Sequence, residues 1–531
     1  TPLNEIPETD MKDDIKVSRA AGTVSGMTLL SRLFGFFRDL VIAMKFGATP
    51  AADAFFVAFR IPNVQRRLLG EGAVSAAFIP VFSEVINQKG EGEAWVLSAN
   101  LFNILTIILT GATLFLIIFS PIVITLFAPG FLNDPYQFNL TVELVRWMAP
   151  YLFFIGLAVF CMGILNTYKS FAIPAAAPVM LNISMILAAL FLAPNMEEPV
   201  FGLAIGVLVG GFLQFIIQLP GILKRGMIFT SSVQWKHPEI IKIWKLMVPA
   251  ILGLAVYEIN ILVDTVLASM LPGGSISYLY YGNRLVQLPL GIFGVALGVA
   301  ILPTLSERAS RNEIPELIQT LGFGIRFILF ITIPATVGLI LLRFPIINTL
   351  WERGEFSRMT TDGTSIALLY YSLGLCAFAG IKVIAPAYYS LQDTKTPARI
   401  AIYSMILNIV LNLILMGPLK HGGLALATSI AAFFNVFLLI HFLRKRLGLM
   451  GGRKILASIT KMTGSAAIMG IIVFFLNRGF FDPAAPLVTK VAVLIGCITA
   501  GAVTFSFLSK WMKNEEWDFL MDLIQKRKHT P

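Results

Sequence analysis

The chain has 531 residues, of which 56% are hydrophobic and 13% charged, and its formal net charge is +11. Its mean hydropathy is +0.79, which excludes an ordinary soluble domain and indicates a polytopic membrane protein. A spanning helix needs about 20 mainly apolar residues, so the apolar runs predict an all-α fold with about fourteen transmembrane helices. These runs lie near residues 22–46, 52–86, 97–127, 141–167, 171–194, 199–223, 240–270, 276–306, 318–349, 364–390, 398–417, 423–443, 455–477 and 486–509.

The lysines and arginines of the short loops predict the orientation, because cytoplasmic loops carry the excess of positive charge. With both termini in the cytoplasm, the inner loops hold most of these residues, among them Lys224, Arg225, Arg308, Arg311, Lys395, Arg399 and residues 444–446. We therefore attribute the net charge to topology and to contact with anionic membrane lipids, and we expect no nucleic-acid partner. Residues 1–20 are predicted to be a cytosolic tail without a signal peptide, and residues 512–531 a basic cytosolic tail.

An internal repeat appears at a spacing of roughly 222 residues. The segment from Asp39 to Glu84 aligns with the segment from Asp264 to Glu307, and later segments align in the same order. Six predicted spans separate equivalent points, so both copies have the same orientation, and two such lobes are expected to enclose a central cavity. The predicted domains are residues 21–226 and 227–453, one six-helix lobe each, followed by two additional helices in residues 454–511.

Charged residues lie inside the first two predicted spans, where a bilayer disfavours them. An arginine at the centre of a lone membrane helix costs about 2.5 to 3.5 kcal/mol, so several together require a compensating environment. The first span carries Arg32, Arg38 and Asp39. The second span carries Asp53, Arg60, Arg66, Arg67 and Glu71. A water-filled cavity that binds an anion would explain this surplus, and phosphate suits arginine because a guanidinium binds it bidentately and stays charged.

Two interpretations of these charges remain open. The arginines either bind an anionic substrate or pair with Asp39, Asp53 and Glu71 to hold helices together. Pro62 interrupts the regular stripe of charges on the second span and favours Arg66 as the residue that faces the cavity. Arg284, in YYGNRLVQLP, adds a cation in the second repeat.

No motif for covalent chemistry is visible. The three cysteines, Cys161, Cys376 and Cys497, are single residues inside predicted spans, and neither a Ser-His-Asp nor an HExxH pattern occurs. We therefore expect no catalytic residues and no disulfide, and we interpret the protein as a transporter and not an enzyme.

Four motifs together resemble the MurJ (MviN) family of lipid II flippases. They are SRLFGFFRD at 31–39, ADAFFVAFRIPNVQRRLLGEGAVSAAFIPVF at 52–82, YYGNRL at 280–285 and YYSLQDTKTP at 388–397. This family belongs to the multidrug, oligosaccharidyl-lipid and polysaccharide exporter superfamily. The resemblance implies outward transport of an undecaprenyl-diphosphate-linked peptidoglycan precursor across the bacterial inner membrane by alternating access, with lipid II as substrate and other cell-wall synthesis proteins as further partners.

The resemblance also implies roles for particular residues. Arg32, Arg38, Arg66 and Arg284 match the family's cavity arginines, with Ser31 and Asp39 in gating or pairing roles. The two additional C-terminal helices would form a groove for the polyprenyl tail. Asn283 stands where some members have aspartate.

Three other functions compete with this interpretation. A flippase for an O-antigen-type polysaccharide unit would move the same lipid diphosphate and differs only in the specific motifs. A drug/cation antiporter of the same superfamily would place acids and aromatic residues in the cavity, which the arginines argue against. A membrane enzyme acting on such lipids would need clustered acids or histidines at a catalytic spacing.

A cation site is a further expectation in the second half. Asp264, Asn408, Asn412 and Thr428 are polar residues inside predicted spans, and oxygen ligands suit a small cation such as sodium. The resemblance implies such a site near the carbonyl of Leu424, with aspartate where this chain has Asn412. The substitution removes a negative charge and would weaken or abolish sodium binding. Hydrogen bonding between helices is the alternative interpretation of these residues.

Overall fold

The computed structural model describes residues 8–68, 77–228 and 230–528, and in these residues the backbone is helical apart from short connections. No strand occurs in this described part. The predicted all-α class is therefore confirmed. It follows from the sequence because a chain surrounded by lipid must satisfy its backbone hydrogen bonds within each segment, which a helix does.

The chain divides into two compact units, Thr1–Leu262 and Val263–Pro531. The division falls inside a helix, whereas the predicted boundary lies earlier, between residues 226 and 227. The first unit contains α1 (Glu8–Phe46), α2 (Pro50–Arg67), α3 (Ile79–Lys89), α4 (Glu91–Phe127), α5 (Pro135–Thr167), α6 (Ala172–Leu187), α7 (Val200–Ile216), α8 (Leu219–Leu223) and most of α9 (Pro238–Ser269). The second contains α10 (Ser275–Pro289), α11 (Val295–Ser310), α12 (Ile314–Leu350), α13 (Arg358–Leu373), α14 (Leu375–Ser390), α15 (Lys395–Leu419), α16 (His421–Leu447), α17 (Gly452–Phe480), α18 (Leu487–Trp511) and α19 (Glu515–Lys528).

Within the described residues, ten helical segments are long and apolar enough to cross a membrane. The pair α13 and α14, bent by 41° at Gly374, counts as an eleventh if it forms one span. The remaining predicted spans lie on α1, on α2 with α3, and on α9. The predicted number of fourteen is thus not confirmed. Two of these helices, α1 and α2, carry the arginines and acids that lower their apolar character.

Helix α5 lies at the centre of the first unit, where it packs against α2, α4 and α7. Its apolar span is 78% buried, against 33% for that of α4, which faces outward. Helix α1 packs against α6, and α6 packs against α7. The start of α5 is well defined, because Asp134 accepts hydrogen bonds from the backbone amides of Tyr136 and Gln137 at 3.1 and 3.3 Å.

Helix α12 has the corresponding central position in the second unit, with α13, α14 and α17 packed around it. Helix α17 pairs in turn with α18, and these two helices are the additional pair that the sequence predicted after residue 454. A cluster of buried apolar side chains, including Phe330, Met469 and Phe505, fills the space between the three helices.

Both predicted tails include helix. Helix α1 begins at Glu8, within the predicted tail of residues 1–20. At the other end α19 contacts α12 through Arg326, whose guanidinium bonds Glu516 at 2.7 Å and Glu515 at 3.1 Å. The side chains of Arg326 and Glu516 are only 9% and 2% exposed. A hydrogen bond from Lys454 lowers the pKa of the Glu515 carboxyl from its usual value. The C-terminal segment is therefore anchored to the helices before it.

Candidate substrate-binding site

The best-defined part of the site is Arg38, whose guanidinium is fixed from two helices of the first unit. Its Nη2 and Nε donate to Asp39 Oδ1 at 2.7 and 3.0 Å, and its Nη1 donates to Asn182 Oδ1 on α6 at 3.0 Å. The amide of Asn182 donates to the carbonyl of Ser31 at 3.2 Å. Arg38 and Asp39 are both buried. The structure thus brings together three of the predicted residues, Ser31, Arg38 and Asp39, and adds Asn182.

The other two arginines assigned to substrate in this unit are less enclosed. Arg32 is exposed on α1, and Arg66 is half-buried near the end of α2, where its Nε donates to Asn63 Oδ1 at 2.9 Å. Helix α2 continues past Pro62 to Arg67. A guanidinium that is partly open to its surroundings keeps donors for a ligand.

A buried phenol marks the space between α2 and α5. The ring of Tyr151 lies 6.3 Å from that of Phe59, and its hydroxyl is within electrostatic range of both Arg66 and Arg38. Within the described residues this hydroxyl has no hydrogen-bond partner. A β-carbon at Gly211 on α7 would lie 3.0 Å from Tyr151 Cε2, so glycine at this position provides the room for the ring.

The charges along α2 have partners of their own. Arg67 pairs with Glu258 on α9 at 3.3 Å, and this carboxylate is 5% exposed. Asp53 is buried in the first turn of α2, and Arg60, two turns further along the same face, is half-buried. Glu71, the last member of the predicted stripe, lies outside the described residues.

Arg284 belongs to the second unit. It is half-buried on α10, the helix whose sequence aligns with α2 in the internal repeat. Helix α10 passes into a single π-helical turn, Leu290–Gly294, before α11 begins. π-helical turns often occur at functional sites because they change the direction in which side chains project.

The four residues predicted to bind a cation form one hydrogen-bonded network in the second unit. Asn412 Nδ2 donates to Asp264 Oδ1 at 2.7 Å and to Asn408 Oδ1 at 3.0 Å. Asn408 Nδ2 donates to Thr428 Oγ1 at 3.4 Å, and Thr428 donates to the carbonyl of Leu424 at 2.9 Å. Two of the oxygens that a cation would need therefore face N–H groups. The sodium site stays a prediction.

An open apolar cavity of about 380 Å³ lies between α12 and α17. Its walls include Val337, Ile340 and Leu341 on α12, and Ala467, Ile471 and Phe474 on α17. No charged side chain lines it. A surface of this kind suits a hydrocarbon chain better than a polar group.

Comparison with known proteins agrees with the sequence motifs. The family model described as "Lipid II flippase MurJ" matches residues 42–494. A probable lipid II flippase MurJ of Vibrio cholerae is 44% identical over 423 residues, which cover 78% of this chain and 81% of the relative. The lipid II flippase MurJ of Burkholderia cenocepacia is 36% identical and covers 92% of this chain and 96% of its own. The chain belongs to the MurJ family.

A solved structure of a MurJ lipid II flippase in an inward closed conformation superimposes with a TM-score of 0.79. It is 29% identical and covers 94% of this chain and 99% of its own. The predicted membership of the MurJ family is confirmed. The chain is accordingly a multi-pass protein of the bacterial inner membrane.

Sequence reasoning missed the partners of two arginines. Asn182 and Glu258 bond Arg38 and Arg67 across 144 and 191 residues of chain. Both partners are polar residues inside predicted spans, and this signal could have marked them as members of the site. Their pairing with particular arginines depends on how α6 and α9 pack and is not visible in the sequence.

Proposed function

We propose that this protein is a lipid II flippase, a transporter that moves the undecaprenyl-diphosphate-linked peptidoglycan precursor from the inner to the outer leaflet of the cytoplasmic membrane. Relatives with that name align with 78% and 92% of this chain. The observation that supports the proposal most is the set of arginines on α1 and α2. Lipid II has a diphosphate, and arginines within apolar helices provide charge-assisted, bidentate donors for it.

Arg38 has the most defined role. Because Asp39 and Asn182 hold its guanidinium, little conformational entropy is lost when an anion binds next to it. Arg32 and Arg66 are more open and supply donors that the headgroup can engage directly. Arg284 on α10 is proposed as a further substrate-binding cation. Ser31, Asp53, Arg60 and Arg67 have positioning or pairing roles.

The apolar cavity between α12 and α17 is proposed to take part of the polyprenyl tail. Each CH₂ group buried there contributes about 0.8 kcal/mol, so a short stretch of hydrocarbon would bind appreciably. Filling the cavity with Ala467→Trp is expected to slow transport of the full-length lipid more than that of a short-chain analogue. Equal slowing of both would exclude this role for the cavity.

The transport cycle is proposed to follow alternating access, with the headgroup entering from the cytosol. Both termini are placed in the cytoplasm, in keeping with the positive charge of the inner loops. The membrane potential acts at about 2.3 kcal/mol per charge per 100 mV and can reset a binding site that carries arginines. Membrane lipids, and the other cell-wall synthesis proteins that make and use the substrate, are proposed as partners.

The test is rescue of a bacterium depleted of its own lipid II flippase, with the accessibility of lipid II at the outer face as the readout. The native chain is expected to rescue, and Arg32→Ala and Arg284→Ala are expected to fail at equal protein level. Arg311→Ala is the matched control, since Arg311 is exposed directly after the end of α11 and forms an ion pair with its neighbour Glu307 at 2.7 Å. Intact translocation by Arg32→Ala and Arg284→Ala would contradict the assignment of these two residues to substrate binding.

A second strain, which lacks the transporter for an O-antigen-type unit, is needed to distinguish that substrate from lipid II. A flippase for the polysaccharide unit would restore that polymer in a strain lacking its transporter and would leave external lipid II unchanged. The proposed function predicts the opposite pair of results.

A further inference from the structure

Arg146 of α5 lies on the face of that helix that points away from α2. Gln137, which precedes it by nine residues, donates to the carbonyl of Pro50 at the start of α2 at 3.2 Å. At about 100° of rotation per residue, this separation places the two side chains on opposite faces of α5. Arg146 is exposed, and Trp147 beside it and Ile122 on the adjacent α4 are 48% and 58% exposed. This face of α5 is therefore directed to lipid.

The guanidinium of Arg146 is fixed where the hydrogen bonding of α4 is interrupted. Pro121 has no N–H, so the carbonyl of Ile117 lacks its donor within that helix. Arg146 Nε donates to this carbonyl at 3.3 Å and to Ser120 Oγ at 3.0 Å, and Ser120 Oγ donates to the same carbonyl at 3.1 Å. Within the part of the chain that the structure describes, Nη1 and Nη2 form no hydrogen bond, and no carboxylate pairs with Arg146. The N–H groups of Nη1 and Nη2 are thus held in place for a ligand.

The position of Arg146 along α5 corresponds to the border between hydrocarbon and lipid headgroups. Residues 147–165, which follow it, are apolar apart from Tyr151. At 1.5 Å per residue this run is about 28 Å long, close to the thickness of a hydrocarbon core of about 30 Å. Helix α5 begins at Pro135, so Arg146 stands at the headgroup end of the run. Lipid phosphates lie at this level, and a guanidinium binds a phosphate bidentately.

Glu143 places the opposite charge next to Arg146. It is exposed, lies three residues earlier on the same face of α5, and is about 4.5 Å nearer the membrane surface along the helix axis. Among the described residues its carboxylate forms no ion pair, so it does not neutralise Arg146. A cation is therefore held at the depth of lipid phosphates, with an anion nearer to water. In an ethanolamine phospholipid the phosphate lies deeper and the ammonium nearer to water, so each charge of the headgroup meets its opposite.

We propose that Glu143 and Arg146 form a binding site for a zwitterionic phospholipid with a primary amine in its headgroup. The phosphate accepts hydrogen bonds from Nη1 and Nη2 of Arg146, and the ammonium donates to the carboxylate of Glu143. A phospholipid with a glycerol headgroup engages only the arginine and brings its negative charge close to the carboxylate, so the site discriminates between the two headgroups. Because Nε still bonds the carbonyl of Ile117, the bound lipid is attached to the bend of α4 as well as to α5.

Lipid binding is measured by native mass spectrometry of the purified full-length protein in detergent, titrated with dioleoyl phosphatidylethanolamine or dioleoyl phosphatidylglycerol. The native chain is expected to bind the ethanolamine lipid more tightly. Arg146→Gln is expected to weaken binding of both lipids about tenfold, because a charge-assisted contact is lost. Glu143→Gln is expected to weaken binding of the ethanolamine lipid alone and so to abolish the preference. Equal binding of the two lipids by the native chain, or an unchanged preference in Glu143→Gln, would overturn the proposal.

Melting temperatures separate lipid binding from a purely structural role of Arg146. A ligand that binds only the folded state raises Tm, so the native chain is expected to gain more from the ethanolamine lipid than from the glycerol lipid. Both variants are expected to lose this difference, whatever their Tm without lipid. Arg311→Gln is the matched control and is expected to retain it, because Arg311 is also exposed and has Glu307 one turn away. If Arg146→Gln does not fold, Glu143→Gln still decides, and a difference equal to that of the native chain would contradict the site.

Discussion

Arg38 shows how a buried charge is held in a fixed position. Three hydrogen bonds from its guanidinium reach Asp39 and Asn182, and the amide of Asn182 ties the same group to the carbonyl of Ser31. Helix α6 therefore fixes the position of a side chain that belongs to α1. Helix α6 is mostly apolar, and its residue Asn182 determines the orientation of the arginine.

Asn182→Ala removes both of these connections. It leaves Arg38 one acceptor short and the Ser31 carbonyl without this donor, so we expect a loss of about 1 to 3 kcal/mol in unfolding free energy and slower translocation. Thermal unfolding in nanodiscs and the rescue assay measure the two effects. Asn195→Ala is the matched control, because Asn195 is exposed and its amide donates to the nearby carbonyl of Phe191 at 2.7 Å. Equal stability of both variants would contradict this role for Asn182.

At this scale the sequence marks candidate residues but does not give their partners. Arg38 and Asp39 could be assigned because charge inside an apolar span is expensive and therefore informative. Asn182 and Glu258 carry the same signal in a weaker form. Which arginine each one meets is decided by the packing of α6 against α1 and by the course of α9, since the pairs are 144 and 191 residues apart.

At the scale of helices, the contact between α5 and α7 depends on a missing side chain. Gly211 on α7 faces the ring of Tyr151, and a β-carbon there would lie 3.0 Å from Cε2 and closer still to Cδ2. Gly211→Ala is therefore expected to destabilise the protein by about 1 to 3 kcal/mol. Gly111→Ala on α4 is the control. A β-carbon at Gly111 meets nothing within 4 Å, so this variant is expected to raise stability by up to about 1 kcal/mol. Changes of the same sign in the melting temperatures of the two variants, relative to the native chain, would contradict the packing argument.

The attachment of α19 to α12 gives a second prediction about helices. Glu516→Gln keeps the shape of the side chain but removes the charge that balances the buried guanidinium of Arg326. We therefore expect the unfolding free energy to fall by about 3 kcal/mol. Asp518→Asn on the exposed side of α19 is expected to change stability by less than about 0.5 kcal/mol. Chemical unfolding followed by tryptophan fluorescence reports both. If Glu516→Gln changed the unfolding free energy as little as Asp518→Asn, the ion pair between Arg326 and Glu516 would not anchor α19.

On the scale of the whole molecule, topology is the property that can be tested most directly. A background lacking Cys161, Cys376 and Cys497 allows single cysteines to be introduced at exposed positions. A membrane-impermeant maleimide added to intact cells is expected to label Glu197→Cys, in the loop before α7, and to leave Lys510→Cys unlabelled until the cells are opened. Labelling of Lys510→Cys from outside would reverse the proposed orientation.

Some features of the overall architecture could be predicted from the sequence and others could not. The all-helical class follows from composition, and the last two spans were separable because they lack a counterpart in the repeat. The number of spans is harder, since α1 and α2 combine apolar length with the charges of the site. The boundary between the units was placed before α9, but that helix continues through the division at residues 262 and 263, which no break in the sequence marks.

The ion pair between α12 and α19 also bears on how the chain is made. Arg326 and Glu516 are 190 residues apart, so at about 5 to 20 residues per second the ribosome needs roughly 10 to 40 s between them. During that interval the guanidinium lacks its permanent carboxylate, although α12 has already been synthesised. Completion of the C-terminal helix is thus a late step of biogenesis. A product terminated after Lys513 is expected to be degraded faster than the full chain in a pulse-chase experiment, whereas one terminated after Lys526 is expected to persist.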